Sequence, residues 1–139
     1  NSSLALFKDN GIRSFSKVLI AIRPGRRNKR FIDVADKICR HFGASLTLLN
    51  IVSETDSNQK IKRTEKSSIE LISETKSKSI VKIIKSNNPV EAISEESASY
   101  DLLILGTPEK DNWISVLFGA GEDRFVKKAA CSVLRLTIK

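Results

Sequence analysis

KVLIAI, from Lys17 to Ile22, decides how the rest of the chain is read. All but its first residue are apolar, three are β-branched, and apolar does not alternate with polar. That is the form of a strand covered on both faces, as strands of parallel sheets are. Such a strand needs helices above and below it, and the next segment supplies one. After the Pro24-Gly25 break, Phe31, Val34, Ala35, Ile38 and Phe42 recur at intervals of three and four, which predicts an amphipathic helix stopped by Gly43.

The alternation continues outward. LTLLNIV (Leu46 to Val52) predicts a second strand, and the polar stretch 53–78, with apolar residues at Ile61, Ile69, Leu71 and Ile72, predicts a helix with a mobile beginning. SIVKII (Ser79 to Ile84) predicts a third strand. Asn88-Pro89 opens a helix through Val90, Ala92 and Ile93, with Pro89 at the position where a missing N–H costs nothing, and Tyr100 closes the segment. DLLIL (Asp101 to Leu105) predicts a fourth strand ending at Gly106. A loop to Gly119, a helix from Gly121 to Ala130 and a last strand from Ser132 to Ile138 follow. Strands joined by connections of this length require right-handed parallel crossovers, so the expected class is α/β: one doubly wound, five-stranded parallel sheet with helices on both faces. Residues 17–139 make this single domain. Residues 1–16 keep neither a strand nor a helix period and are expected to be a lead-in or linker.

Composition agrees with one soluble core. The chain has 139 residues, 40% of them hydrophobic, which excludes a disordered tail. Its longest apolar run, Val18 to Ile22, is far short of the ~20 residues of a membrane-spanning helix. Cys39 and Cys131 lack metal or redox spacing and follow no signal peptide, so they read as buried thiols in a reducing, cytoplasmic setting. Methionine is absent, position 1 included, so the sequence is expected to be a piece of a longer protein. The net charge of +8 is loaded at the front: residues 1–50 hold ten Lys/Arg against three Asp/Glu. That asymmetry suits a nucleic-acid surface, an anionic ligand or a position near acidic lipid.

In an open parallel sheet, ligands bind beyond the carboxyl ends of the strands, where the chain order reverses. The loop after the first strand holds Arg23, Gly25 and Arg26 in a run, Arg23 to Arg30, with five cations in eight residues. Leading into a helix N-terminus, it is able to grip phosphate, although a solvated charge run is the plainer reading. Val52 ends the second strand at the same edge. After the fourth strand, Gly106, Thr107 and Glu109, then Gly119, Ala120 and Gly121, form turns in which backbone can approach a phosphate. Glu122 and Asp123 favour the helix start but repel an anion there. His41 sits in a helix's last turn, Trp113 reads as a loop anchor, and no Ser or Thr has a recognisable general base. No catalytic or metal-binding residues are expected.

The arrangement resembles the universal stress protein family over roughly residues 17–138. KVLIAI, FGASLTLLNIV, NNPVEAI, DLLILGT and FGAGEDRFVKKAACSVLRL carry the resemblance. It implies the strand order 3-2-1-4-5. ATP-binding members have G-x2-G-x9-G-[S/T] after the fourth strand, and the spacing survives here as Gly106, position 109, Gly119 and position 120. Position 109 is Glu109, however, and position 120 is Ala120, while Arg23 replaces the acidic residue usual at the end of the first strand. These departures put a charge beside the phosphates and remove a hydroxyl donor, so family-typical ATP binding is disfavoured.

The resemblance therefore implies a non-enzymatic regulatory or interaction domain with a degenerate nucleotide site, of the kind fused to the cytoplasmic end of membrane transporters such as amino-acid permeases or antiporters. No cofactor is expected, with ATP or another adenine nucleotide as the alternative. The expected partner is a second copy, joined through the last strand at Val133, Leu134, Arg135, Leu136 and Ile138. Two other readings stay open: a free-standing ATP-binding stress protein, and a basic nucleic-acid-binding module, which the lack of aromatics near Arg23 to Arg30 disfavours.

Overall fold

The computed structural model describes residues 3–8, 15–22, 28–107 and 131–138. The decisive apolar run forms β2 (Lys17–Ile22), buried at every residue after Lys17. It lies inside a six-stranded sheet with β1 (Ser3–Lys8), β3 (Ser45–Val52), β4 (Ser79–Lys85), β5 (Leu102–Thr107) and β6 (Ser132–Ile138), in the order β1-β6-β5-β2-β3-β4. Strands β2 to β6 are parallel, and counted from β2 they have the expected order 3-2-1-4-5.

The absence of alternation in the central strands now has a cause. Val18, Ile20 and Ile22 of β2, with Leu46, Leu48, Leu102 and Ile104, meet Phe31, Ile32, Ala35 and Cys39 of α1 (Asn28–Phe42) on one face. Leu19 and Ala21, with Leu49, Leu103, Leu105 and Val133, meet Ile93 of α3 (Pro89–Ser97) on the other. Leu19, Ile20 and Leu103 are fully buried, and truncating any of them to Ala costs roughly 2–5 kcal/mol.

α2 (Asn58–Ile72) lies on the α1 side, where Leu71 and Ile72 pack at the margin of that core. Ser68 is its one buried residue, which is why its sequence is so polar. At its start the Ser57 hydroxyl accepts the Lys60 N–H at 3.2 Å and caps the helix. α1 ends as expected at Gly43, whose φ of +67° lets Ala44 N–H reach the Cys39 carbonyl at 2.8 Å. Asn88 caps α3 through Glu91 N–H, with Pro89 directly after it.

One correction concerns the amino-terminal lead-in. Within 1–16, residues 3–8 form β1, antiparallel to β6 from Ser3 opposite Ile138 to Lys8 opposite Val133. The last strand is consequently not the sheet's edge: β6 has β5 on one side and β1 on the other. Six residues are too short for a period to stand out, and Ile12 and Phe15 beyond them obscure it. The helix expected over 121–130 lies outside the described residues.

Candidate functional site

β2 and β3 end side by side, and their carboxyl ends, with the chain leading into α2 and the start of α3, enclose a cavity of about 300 Å³. Apart from the buried Asn50 of β3, its inner wall is apolar: Ala21 and Ile22 from β2, Leu49, Ile51 and Val52 from β3, Pro89 and Ile93 from α3. Its mouth is polar, with Asp56, Lys60 and Thr64. The size is at the lower end of small-molecule sites, and an apolar wall with a few convergent polar groups is their usual chemistry.

The two loops that rim this cavity are tied together. Asn87 Oδ1 accepts from Ser53 Oγ at 2.9 Å and from Glu54 N–H at 3.1 Å, and its Nδ2 donates to Glu54 at 3.2 Å. Asp56 accepts the Ser53 N–H and the Lys60 ammonium, each at 3.1 Å, across the first turn of α2. The β3–α2 and β4–α3 connections are thus joined to each other by hydrogen bonds.

A second groove, of about 330 Å³, continues along α2 and shares Asn50, Lys60 and Thr64 with the first. Asn28, at the start of α1, and Arg63, Ser67, Ser68 and Leu71 of α2 complete it. Asn50 is buried, and its side chain pairs with Ser68 at 2.6 Å. Because the Ser68 hydroxyl donates to the Thr64 carbonyl at 2.8 Å, it must accept from Asn50, which fixes the amide orientation.

Of the residues singled out from sequence, Val52 lines the cavity, and Gly106 lies opposite Ile22, a wall residue, in the β2–β5 register. Thr107 ends β5 one position on. Arg23, Gly25, Arg26, Glu109, Gly119, Ala120 and Gly121 lie outside the described residues. In β6, Val133 is buried in the core on the α3 side and Leu134 packs against the core on the α1 side, while Arg135, Leu136 and Ile138 occupy later positions of the strand. Sequence reading missed Asn50, Asp56, Lys60 and Thr64. The available signal was Asn50, a lone amide in the apolar run LTLLNIV.

Among the described residues, no three His, Cys, Asp or Glu side chains gather as a metal-ligand group. Burial pushes the Cys39 thiol up to about 12 and the Cys131 thiol up to about 11, so neither is a ready nucleophile.

Comparison with known proteins places this geometry. The model of the universal stress protein family matches residues 14–136. No curated relative matches the chain. Among solved structures, the universal stress protein from Archaeoglobus fulgidus in complex with dAMP superposes with a TM-score of 0.63 at 14% identity, over 89% of this chain and 99% of that one. A universal stress protein in complex with cAMP gives 0.61 at 17%, over 88% and 97%. Universal stress protein UspA from Lactobacillus plantarum gives 0.60 at 13%, over 92% and 100%. At such identities the likeness shows the fold.

Proposed function

The chain belongs to the universal stress protein family, and on that premise we propose that it is a non-enzymatic regulatory domain whose crevice takes an adenine nucleotide. One observation carries this reading: the cavity at the carboxyl ends of β2 and β3, whose wall is apolar apart from Asn50 and whose mouth holds Asp56, Lys60 and Thr64. A planar base buries its faces against Ile22, Val52 and Ile93, and its sugar and phosphate stay with the polar mouth. Asp56 offers a carboxylate acceptor for a sugar hydroxyl in a chain that has Arg23 where the resemblance expects an acid. The dAMP and cAMP bound by two structures of the same fold support the ligand class, and the buried, weakly ionised thiols support a role without covalent chemistry.

The same proposal makes the domain a sensor for an attached protein. The front-loaded positive charge supports a host at the cytoplasmic face of a membrane, a transporter in particular. Pairing of two domains gives ligand binding a way to alter the host.

Calorimetry with AMP, cAMP and magnesium-ATP at physiological salt tests the ligand. Binding is expected for at least one, weakened about tenfold or more by Thr64→Glu, which adds a carboxylate to the mouth on a helix-compatible residue. Silence toward all three overturns the nucleotide reading, and steady phosphate release from ATP overturns the non-enzymatic one.

A further inference from the structure

We infer that the groove along α2 is an anion subsite, in which Lys60 and Arg63 hold the phosphate of the bound ligand while Asn50 accepts a hydrogen bond from a ligand hydroxyl or N–H. This assignment rests on the nucleotide reading of the neighbouring cavity, and it sends the charged end of the ligand toward α2 and not toward the loop after β5.

Charge is the first argument. Residues 60, 63, 64, 67 and 71 follow the three-and-four spacing of a single helix face, and all five line the groove. Among the described residues its lining contains two cations, two amides, three hydroxyls and one leucine, with no carboxylate. Asn28 belongs to it as the first residue of α1, a helix with no acidic side chain in its first turn. The positive end of the helix dipole favours an anion nearby, and the carboxylate paired with this turn among the described residues, Glu74, is held by Lys29 at 2.6 Å.

Asn50 supplies the second, independent argument. Its relative exposure is 8% and it lines both spaces. The Ser68 hydroxyl uses its Nδ2, so Oδ1 is the atom left over, and no donor among the described residues reaches it. A buried carbonyl oxygen without a donor is costly and marks a place where a partner belongs. Sitting where the two spaces join, Asn50 selects a ligand with a donor between its apolar and anionic parts, as a nucleotide has in its sugar.

The Asp56 carboxylate is the competing partner of Lys60. That pair links Asp56, just ahead of the α2 cap, to Lys60 in the first turn, with Lys60 well exposed, and such pairs are weak. The ammonium is free to turn to a phosphate, which leaves Asp56 to a sugar hydroxyl.

Amide NMR of the 139-residue chain, titrated separately with adenosine, inorganic pyrophosphate and AMP, tests the assignment in wild type and in the Lys60→Ala, Arg63→Ala double variant. Both residues are exposed, so circular dichroism of the variant is expected to match wild type. Pyrophosphate and AMP are expected to shift Asn28 and residues 60–68, and the variant is expected to lose about tenfold or more in AMP affinity while binding adenosine within about twofold. AMP binding unchanged in the variant, or anion shifts confined to residues 106–121, overturns the subsite. If pyrophosphate shifts residues 60–68 but adenosine leaves Ala21, Ile22 and Val52 unmoved, the anion subsite stands and the nucleotide reading falls.

Discussion

Asp36 on α1 holds the turn that precedes β4: its Oδ1 accepts the Ser77 N–H at 2.9 Å, across 41 residues of sequence. The same carboxylate takes the Ser77 hydroxyl and the Lys76 N–H, and Arg40 lies 3.5 Å away. Burial raises its pKa, but the bonds from Ser77 and Lys76 and the Arg40 charge outweigh burial and leave it below the usual 3.8.

A carboxyl depressed on folding adds stability above its unfolded value and loses it as pH falls through the folded one. Wild-type urea midpoints are therefore expected to drop as pH falls below about 3.8. Asp101, lowered chiefly by the Ser16 backbone N–H, acts in the same direction. Asp36→Asn is expected to cost about 1–3 kcal/mol at neutral pH, because buried donors lose a charged acceptor. Its midpoint is expected to approach wild type in acid. Parallel profiles for the two proteins would refute the link.

Ser68→Ala removes the acceptor of the Asn50 amide and leaves its N–H buried without a partner. The expected loss is about 1–3 kcal/mol, read from urea unfolding. Asn50→Leu with Ser68→Ala removes both polar groups together and is expected to recover part of that loss in the absence of ligand.

Thiol labelling checks the cysteines. With Cys39 raised to about 12 and Cys131 to about 11, both are expected to resist a disulfide reagent at mildly alkaline pH in the folded protein. Both should react fully in denaturant. Fast labelling of either under native conditions contradicts the burial shown here.

How much of this was legible in the sequence depended on what each segment touches. β2 and β5 face apolar helices and neighbouring strands on every side, so their composition alone announced them. α2 was harder, because a helix at the sheet margin buries only Ser68 fully and its pattern thins to Ile61, Leu71 and Ile72. β1 was missed because its pairing is a backbone property. The cavity was half legible: fold logic led to the strand ends and Val52, but Asp56, Lys60 and Thr64 reach it only once α2 has docked beside β3.

Removal of residues 1–8 leaves β6 with unpaired backbone N–H and C=O groups along one side. Open edges recruit other strands, so the shortened chain is expected to self-associate more than the full one at equal concentration. Sedimentation velocity reads the difference. Equal or weaker association would show that β6 has no tendency to pair.

The β1–β6 ladder also has a mechanical meaning. Ser3 lies opposite Ile138, so the two ends of the sheet's polypeptide emerge side by side. A force that draws residues 3 and 138 apart acts on the terminal pair of an antiparallel ribbon, where bonds break one after another and none shares the load. β1 peels away from β6 at low tension, one pair at a time from Ser3 toward Lys8. The outer strand is a fuse in this geometry, yielding at an edge of the sheet while the cavity between β2 and β3 lies three strands inward.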